Sequence, residues 1–566
     1  MRGTAFPRLL AIEMNSFDID FYLPALFYKV LADGRARARR TNDPTAVARY
    51  VDALTKHPSL EGFDGPDGRR VLDRLVRTSL VTMGRTGVAS GGREQILSLE
   101  PYTALAHKAG FPASISRLRR TDVFIYRVLR ESLGSADLLH SFIADVFGHG
   151  VTFGTFPGLG GAYDGHTELD TLTRLSLAFL DGFDDTPVSK KRDTVLPPAC
   201  PAHAAALGED LLRYLFAYHA RMPAQALSYY LLGLLNLELF SYTLSLVYAV
   251  NALVRDPSIL PPAMRTPYAP APPQLYLDFT DRPGSLSREM ATSCVRRDIE
   301  AYQQYLGSVL LLRQLDGYVG GRRRTRGAEV ETLVPADAPG PEYLQGLLLA
   351  HKDARLGPAL AAAAQFDEDR IRNENRSPDQ EGDDEDGGVE DDLAWLDATA
   401  RTGKTDVERV VALLVEGQQG QAVGAFMKWY RGVGGLTETH GILAGDTRGR
   451  YAWRYAPSND FLAVLVQLAA VSVTDDAAPP APGERGPAAI RLPDFLRFIE
   501  HRFGILVDRP PAPYAGPEAA AAARDNLRAM LGRLRQMGLF RDLSDDFTVQ
   551  RLRPPFADER AALQDV

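Results

Sequence analysis

The longest apolar stretch in the chain runs from Ala224 to Val254 and reads AQALSYYLLGLLNLELFSYTLSLVYAVNALV. It contains one formal charge, Glu238, among several tyrosines, serines and asparagines. A helix that is apolar on all sides is either the centre of a large fold or a membrane span. Because Glu238 would be costly in a bilayer and polar residues interrupt the run, we predict a buried helix at the centre of a soluble fold, with no membrane partner.

Apolar residues with the 3.6-residue spacing of core-facing helices recur on both sides of this run. They predict helices at Thr45–His57, Arg69–Thr82, Arg93–Ala109, Thr121–Phe147 and Thr405–Tyr430. A further helix starts at a cap, Ser285 or Ser287, and runs to about Leu315. A short strand, Gln274–Thr280, precedes it. The pattern is therefore that of a mainly α protein.

The acidic run from Asp367 to Asp392 interrupts this pattern, because it is almost free of apolar residues. Such a segment cannot bury enough surface to order itself, so we predict a disordered linker over residues 366–400. Its carboxylates lack EF-hand spacing, which favours a solvated run over a metal site.

The last hundred residues show three helical patterns followed by a strand–turn–strand pattern, which is typical of a winged helix-turn-helix. Pro517 opens the third helix, which extends to Met537 and takes the place of the recognition helix. The residues predicted to contact DNA are Arg524, Arg528, Arg533 and Arg535 on that helix and Arg541, Arg551 and Arg553 on the wing. Acidic residues lie among them, so packing against a protein partner is the alternative.

Two other segments concentrate basic residues. The first, GGRRRTRG, places Arg322, Arg323, Arg324 and Arg326 between glycines and predicts a flexible basic loop. This loop is either a solvated surface segment or a phosphate contact. In the second segment, Arg448, Arg450 and Arg454 alternate with Tyr451, Trp453 and Tyr455. Alternating basic and aromatic residues can touch phosphates and bases, or form a hairpin that packs on the next helices.

The glycine-rich stretch Gly432–Arg454 also contains the one group that resembles an acid–base constellation: Thr437, Glu438, His440 and Asp446. Its spacing matches no catalytic motif, and a lone histidine is more often a hydrogen-bonded loop residue. We therefore assign no catalytic residue. A hydrolase or nuclease built on this stretch stays open as the alternative function.

Composition changes this picture little. The net charge of −8 arises from the acidic run, so it does not argue against contact with nucleic acid. The two cysteines, Cys200 and Cys294, can form neither a zinc site alone nor a disulfide framework, which favours a cytoplasmic protein. The N-terminus lacks the pattern of a signal peptide. No phosphate-binding glycine loop or metal-ligand spacing is present, so we predict no cofactor and no metal.

Two parts of the chain resemble accessory proteins of bacterial phage-defence gene clusters, of the methylation-associated and phosphorothioation-linked kinds. They are LYLDFTDRPGSLSREMATSCVRRDIEAYQQYLGSVLLLRQLD and the C-terminal RLPDFLRFIEHRFGILVD with NLRAMLGRLRQMGLFRDLSDDFTVQRLRPPF. The resemblance implies a subunit without its own chemistry that acts beside methyltransferase, nuclease or ATPase partners. It covers about half of the chain and transfers no functional residue.

These observations predict a large helical domain over residues 1–365 built on the central apolar helix, and the linker over 366–400. A helix with the glycine-rich and basic–aromatic segment follows over 401–456, and a winged-helix domain over 457–556. The predicted function is a DNA-binding or scaffold subunit of a multi-protein anti-phage defence complex. A transcriptional regulator is a further alternative, disfavoured by the large helical domain.

Overall fold

The computed structural model describes the chain apart from residues 1–5, 18, 20–21, 38–45, 59, 87–92, 100–102, 110–117, 155, 158, 182–187, 194–195, 266–272, 326, 375–394, 396, 474–486, 542–549 and 558–566. Helices account for 64% of the residues and strands for 6%, which confirms the mainly α prediction.

The helices of the N-terminal half surround one long apolar helix. They are α1 (Tyr22–Leu31), α2 (Ala46–Leu54), α3 (Pro66–Leu75), α4 (Thr121–Leu133), α5 (Ala136–Phe147), α6 (Thr171–Asp181), α7 (Pro201–Tyr218) and α8 (Ala224–Arg255). The later helices are α9 (Leu286–Arg323), α10 (Gly327–Leu333), α11 (Gly340–Lys352), α12 (Gly357–Glu374), α13 (Asp406–Val433), α14 (Asn459–Ser472), α15 (Leu492–Phe503) and α16 (Pro517–Gln536).

The strands are short and form small sheets. They are β1 (Arg35–Arg37), β2 (Val81–Thr86), β3 (Arg93–Leu99), β4 (Val151–Phe153), β5 (Gly161–Tyr163), β6 (Val188–Arg192), β7 (Leu275–Tyr276), β8 (Leu443–Ala444), β9 (Arg454–Tyr455), β10 (Ile490–Arg491), β11 (Ile505–Leu506), β12 (Phe540–Arg541) and β13 (Arg551–Leu552). The antiparallel two-stranded pairs are β1–β6, β2–β3, β4–β5 and β8–β9. Strand β7 pairs with β11 in parallel. Strands β10, β13 and β12 form a three-stranded sheet in that order.

Helix α8 lies at the centre of the fold and packs against α7, α9, α13 and α14. It is long and apolar enough to cross a membrane, but 78% of its most apolar 18-residue window is buried inside the fold. Burial on every side explains why its sequence has no polar face. The central helix is thus a core helix here, as its polar interruptions predict.

The one buried charge on α8, Glu238, is paired inside the core. Arg502 of α15 donates from Nη2 to Glu238 at 2.7 Å and from Nε to Asp210 of α7 at 2.5 Å. The Glu238 side chain is only 1% exposed, and burial raises its pKa well above the ordinary value while Arg502 opposes that shift. Two carboxyl groups thus share one guanidinium, which offsets part of the cost of burying them.

Local capping explains where the two helices beside α8 begin. The Ser285 hydroxyl accepts from the backbone N–H of Arg288 and starts α9, as predicted. Thr405 and Glu408 form a reciprocal capping box that starts α13. Both helices pack on one another and on α8, so α13 is held along its buried side and exposes its other side to solvent.

The C-terminal elements share the core of the N-terminal helices. One continuous cluster of buried apolar side chains includes residues from both halves of the chain, from Phe6 to Leu552. Strand β7, at residues 275–276, pairs with β11, at residues 505–506, and α14 packs on α7, α8 and α15. The last hundred residues therefore pack against the N-terminal helices at several places.

Four local predictions are wrong. Arg93–Leu99 is a strand paired with β2, not the start of a helix. Gly134, in a left-handed conformation with φ +74°, divides the predicted Thr121–Phe147 helix into two. The GGRRRTRG segment is not a loop throughout, because α9 continues to Arg323. The acidic run starts as helix, since α12 extends to Glu374, while residues 375–394 lie outside the described part of the chain.

Candidate nucleic-acid interface

A concave cleft of about 490 Å³ lies between the C-terminal turns of α13 and the loop at residues 446–453. The charged and aromatic residues that line it are Lys428, Arg431, Arg448, Arg450, Tyr451 and Trp453. The sequence analysis identified the loop side of this cleft. It missed the helix side, because Lys428 and Arg431 belong to an ordinary amphipathic pattern and only the fold brings them opposite the loop.

The loop is held in place by its own hydrogen bonds. Asp446 accepts from the backbone N–H of Arg448 at 2.8 Å, and its carbonyl accepts from Trp453 Nε1 at 2.7 Å. Gly445 lies against the tryptophan, where a Cβ would come within 2.8 Å of Trp453 Cδ1. The indole is 3% exposed and stacks towards Tyr430 of α13. The buried indole thus fixes the loop on the helix.

The cations of the cleft have no acidic partner among the described residues. Lys428, Arg431 and Arg448 are exposed, and Arg450 is half-buried. No carboxylate lines the cleft, and the neighbouring Asp446 bonds to the loop backbone. Like charges held together without counter-charges create a positive potential that attracts polyanions.

Tyr451 is the available aromatic residue of the cleft. Its side chain is 55% exposed, and the Arg450 guanidinium lies 5.0 Å from its ring centroid and donates to its hydroxyl at 3.1 Å. Its carbonyl accepts from Nε of Arg296, an exposed residue of α9, at 3.0 Å. The ring is therefore held at the surface in a defined position.

The other two aromatic residues of the alternating segment point inward. Trp453 and Tyr455 are buried, and Tyr455 donates to Asp298 at 2.5 Å in a buried network that also includes Tyr430. Burial raises the pKa of Tyr455 well above its ordinary value. Arg454 pairs with Asp281 at 2.6 Å. Of the aromatic residues in the alternating segment, Trp453 and Tyr455 thus have structural roles, and Tyr451 is exposed.

Helix α16 presents a second basic surface, which we call the outer face and define by Arg524, Arg528 and Arg535. All three are exposed. Arg528 pairs with Asp525 at 2.7 Å, and the Arg535 guanidinium lies 5.2 Å from the Phe540 ring centroid. This face is convex and has an acidic residue, Asp525, beside its cations, unlike the cleft.

Other predicted contact residues of this region differ in availability. Arg533 points inward, where it donates to the Pro457 carbonyl at 3.1 Å and covers the Phe279 ring. Arg551 is exposed on β13, and Arg553 is half-buried. Arg541 lies in β12, but its side chain and the predicted wing at residues 542–549 lie outside the described part of the structure. Arg533 is half-buried, and its guanidinium is engaged in holding the helix in place.

The inward side of α16 is fixed by Asn526, which the sequence analysis missed. Its side chain is fully buried, donates to the carbonyls of Leu277 and Val507, and accepts from the backbone N–H of Phe279. The signal was available, because Asn526 lies between Ala523 and Met530 on the apolar stripe of the helix. A buried amide with three hydrogen bonds to backbone groups anchors the helix to the β7 segment.

The basic residues at the end of α9 are largely occupied. Arg322 donates to the Ala359 carbonyl at 3.1 Å, and Arg323 binds Glu331 at 3.2 Å and the Val334 carbonyl at 2.7 Å. Arg324 is exposed, and Arg326 lies outside the described residues. Two of the four arginines thus tie neighbouring helices to α9.

The geometry around His440 does not favour an acid–base site. His440 is 6% exposed, packs 4.2 Å from the Tyr229 ring centroid and lies against Gly233 of α8. Burial lowers its pKa. Among the described residues no hydrogen bond joins His440 to Glu438 or Asp446, and Glu438 is exposed. The imidazole is packed into the core beside α8.

Comparison with protein families gives a match over almost the whole chain. The family model described as methylation-associated defense system protein MAD7 matches residues 1–556. No curated protein and no solved structure matches the chain.

Proposed function

The chain belongs to the MAD7 family of methylation-associated defense system proteins, and on that premise we propose that it is a DNA-binding subunit of the defence complex, without chemistry of its own. In this proposal α16 is the recognition helix of a winged helix-turn-helix, and its outer face contacts duplex DNA. The complex operates in the cytoplasm beside a methyltransferase, nuclease or ATPase.

The observation that carries the proposal is the connectivity of the C-terminal elements. Helix α14 is followed by β10, α15, β11, α16, β12 and β13. Strand β11 pairs with β7, and the other three strands form a sheet in the order β10–β13–β12 with both pairs antiparallel. Three helices with a three-stranded sheet in this order are the arrangement expected of a winged helix, whose third helix enters the major groove.

The sidedness of α16 supports the same role. Asn526 and Arg533 hold one side of the helix to the core, whereas the outer face presents cations at positions 524, 528 and 535. Spacings of four and seven residues place side chains on one stripe of a helix. Arginine is suited both to phosphate oxygens and to guanine edges.

The test is the charge-reversal variant R524E/R528E/R535E of the full-length chain, with duplex DNA binding measured by fluorescence anisotropy over a range of salt concentrations. We expect affinity to fall at least about tenfold and the slope of log K against log salt to decrease by about 3, one for each lost phosphate contact. Wild-type affinity in this variant would refute the role of the outer face.

A matched control is R69E/R70E/R74E, which makes the same charge change on exposed residues of α3. It should retain the affinity and salt slope of the unmodified protein. An equal loss in both variants would mean that net charge, and not the outer face, controls binding.

A further inference from the structure

We propose that the cleft between α13 and the 446–453 loop binds a single strand of nucleic acid, with phosphates at its cations and an unpaired base against Tyr451. The inference rests on the proposed function, because it assumes a nucleic-acid-binding subunit. It assigns a different ligand to a different surface: the outer face of α16 takes duplex, and the cleft takes an extended strand.

The dimensions of the cleft favour a single strand. A volume of about 490 Å³ lies within the range of small-ligand sites, which is roughly 300–1,000 Å³. Space of this size admits a segment of one strand with its base turned inward. A duplex keeps its bases paired and stacked, so their faces are not available for stacking on the Tyr451 ring.

The charge arrangement matches a phosphodiester backbone. Lys428 and Arg431 lie three residues apart, on one side of the last turns of α13. Arg448 lies across the cleft on the loop, so cations line both walls. With no carboxylate in the lining, binding a polyanion replaces the repulsion among these cations with attraction.

Tyr451 supplies a surface for stacking. The Arg450 guanidinium packs over the ring and bonds its hydroxyl, and more than half of the side chain stays open to solvent. Stacking on an aromatic ring tolerates any base sequence, because every base has a π face. The cleft is therefore suited to a strand without sequence preference.

The site is also built in advance of binding. Trp453 fixes the loop through its bond to the Asp446 carbonyl, and Arg296 of α9 holds the Tyr451 carbonyl. Side chains that are already positioned lose less freedom on binding.

The experiment compares fluorescent dT20, rU20 and a 20-base-pair duplex as probes of the full-length chain, using wild type, K428E/R431E, Y451A and Y451F. We expect K428E/R431E to weaken dT20 binding at least about tenfold, with a salt slope lower by about 1.4 for two lost contacts to a single strand. Y451A should weaken dT20 binding about 5- to 150-fold, and Y451F should bind like wild type because it keeps the ring. All these variants should bind duplex as wild type does.

Wild-type dT20 binding by both K428E/R431E and Y451A would overturn the inference. An equal loss by Y451A and Y451F would overturn the stacking role. Binding of rU20 with the same response to the variants supports a site that does not read the sugar, and weaker rU20 binding supports single-stranded DNA. The control R69E/R70E removes the same charge from α3, and thermal melting of each variant checks its fold.

The two proposals fail in different ways. If R524E/R528E/R535E loses duplex binding while the cleft variants keep dT20 binding, the function stands and this inference is wrong. If the cleft variants lose dT20 and no variant changes duplex binding, the cleft is supported and the outer face is not.

Discussion

The cleft beside α13 and the outer face of α16 are both rich in arginine, yet the residues that surround their cations differ. In the cleft, Lys428, Arg431 and Arg448 have no acidic partner among the described residues. On α16, Arg528 has Asp525 beside it, and Arg535 lies against an aromatic ring. A cluster of arginines in a sequence therefore does not identify a binding surface by itself, because the neighbours decide how much charge is left for a ligand.

Shape adds a second difference. The outer face belongs to a helix, a convex element that can enter a groove, whereas the cleft is concave and is built from segments about 20 residues apart. The same residue types are thus offered to different ligands. The elements that carry the two surfaces nevertheless pack on the same continuous hydrophobic core.

The largest expected effect is on the free energy of unfolding, and the Arg502→Met variant tests it through the shared core. Removing the guanidinium leaves Asp210 and Glu238 buried without their counter-charge, so we expect the free energy of unfolding in urea to fall by about 3–5 kcal/mol. Because the two surfaces share a core, binding of duplex and of dT20 should disappear at the same urea concentration.

Arg497→Met is the control on the same helix, since that side chain is 65% exposed. It should change stability by no more than about 0.5 kcal/mol. If duplex binding is lost at clearly lower urea than dT20 binding, residues 457–556 behave as a separate domain, and the comparison must be redrawn as one between two independently folded units.

A smaller expected effect is a dependence of stability on pH, which arises from His203 near Arg502 of α15. Burial lowers the pKa of His203 to about 4, and the charge of Arg502 adds to the shift. Between about pH 4 and 6.5 the unfolded chain binds a proton that the folded chain does not, so stability falls as pH decreases through this range. For His203 alone the loss at pH 5 relative to pH 7.5 is about 2 kcal/mol.

Unfolding free energies of wild type and His203→Gln at pH 5 and 7.5 measure this contribution, and the variant should lose less stability on acidification. Burial also lowers the pKa values of His140, His351 and His440, which act in the same direction, whereas the raised pKa of Glu238 acts in the opposite one. The difference between the two proteins is therefore the quantity to compare. His166→Gln, at a solvent-exposed position, is the control and should follow wild type. An identical pH response in His203→Gln would contradict the assignment.

Much of the helical architecture was predictable because it is local. The apolar run of α8, the Ser285 cap and the Pro517 start are each visible within a few residues. Pairings between distant segments were not. Nothing in the sequence near Glu238 indicates that its partner is Arg502, and the parallel pairing of β7 with β11 joins segments about 230 residues apart.

The candidate site divides in the same way. Arg448, Arg450 and Tyr451 were identified because they are contiguous, whereas Lys428 and Arg431 were missed because only folding brings α13 opposite the loop. Counting arginines also overstated the available charge, since Arg322, Arg323 and Arg533 bind carbonyl groups of neighbouring elements. A local pattern shows which residues can bind a phosphate. It does not show which of them the fold has already used.

The smallest expected effect separates the two surfaces through Trp453→Phe. Phenylalanine keeps a buried but smaller aromatic ring and removes the Nε1 donor. The Asp446 carbonyl therefore loses a hydrogen bond worth about 1 kcal/mol, and the loop is held less firmly on α13. We expect dT20 affinity to fall by up to about tenfold, since that energy must then be spent on ordering the loop when the strand binds. Duplex affinity should stay unchanged, because no described residue of α16 lines the cleft. Trp395→Phe is the matched control, at a tryptophan that is 47% exposed, and it should bind both probes as wild type does. A loss of duplex affinity in Trp453→Phe equal to the loss of dT20 affinity would show that the cleft and the outer face form one binding surface.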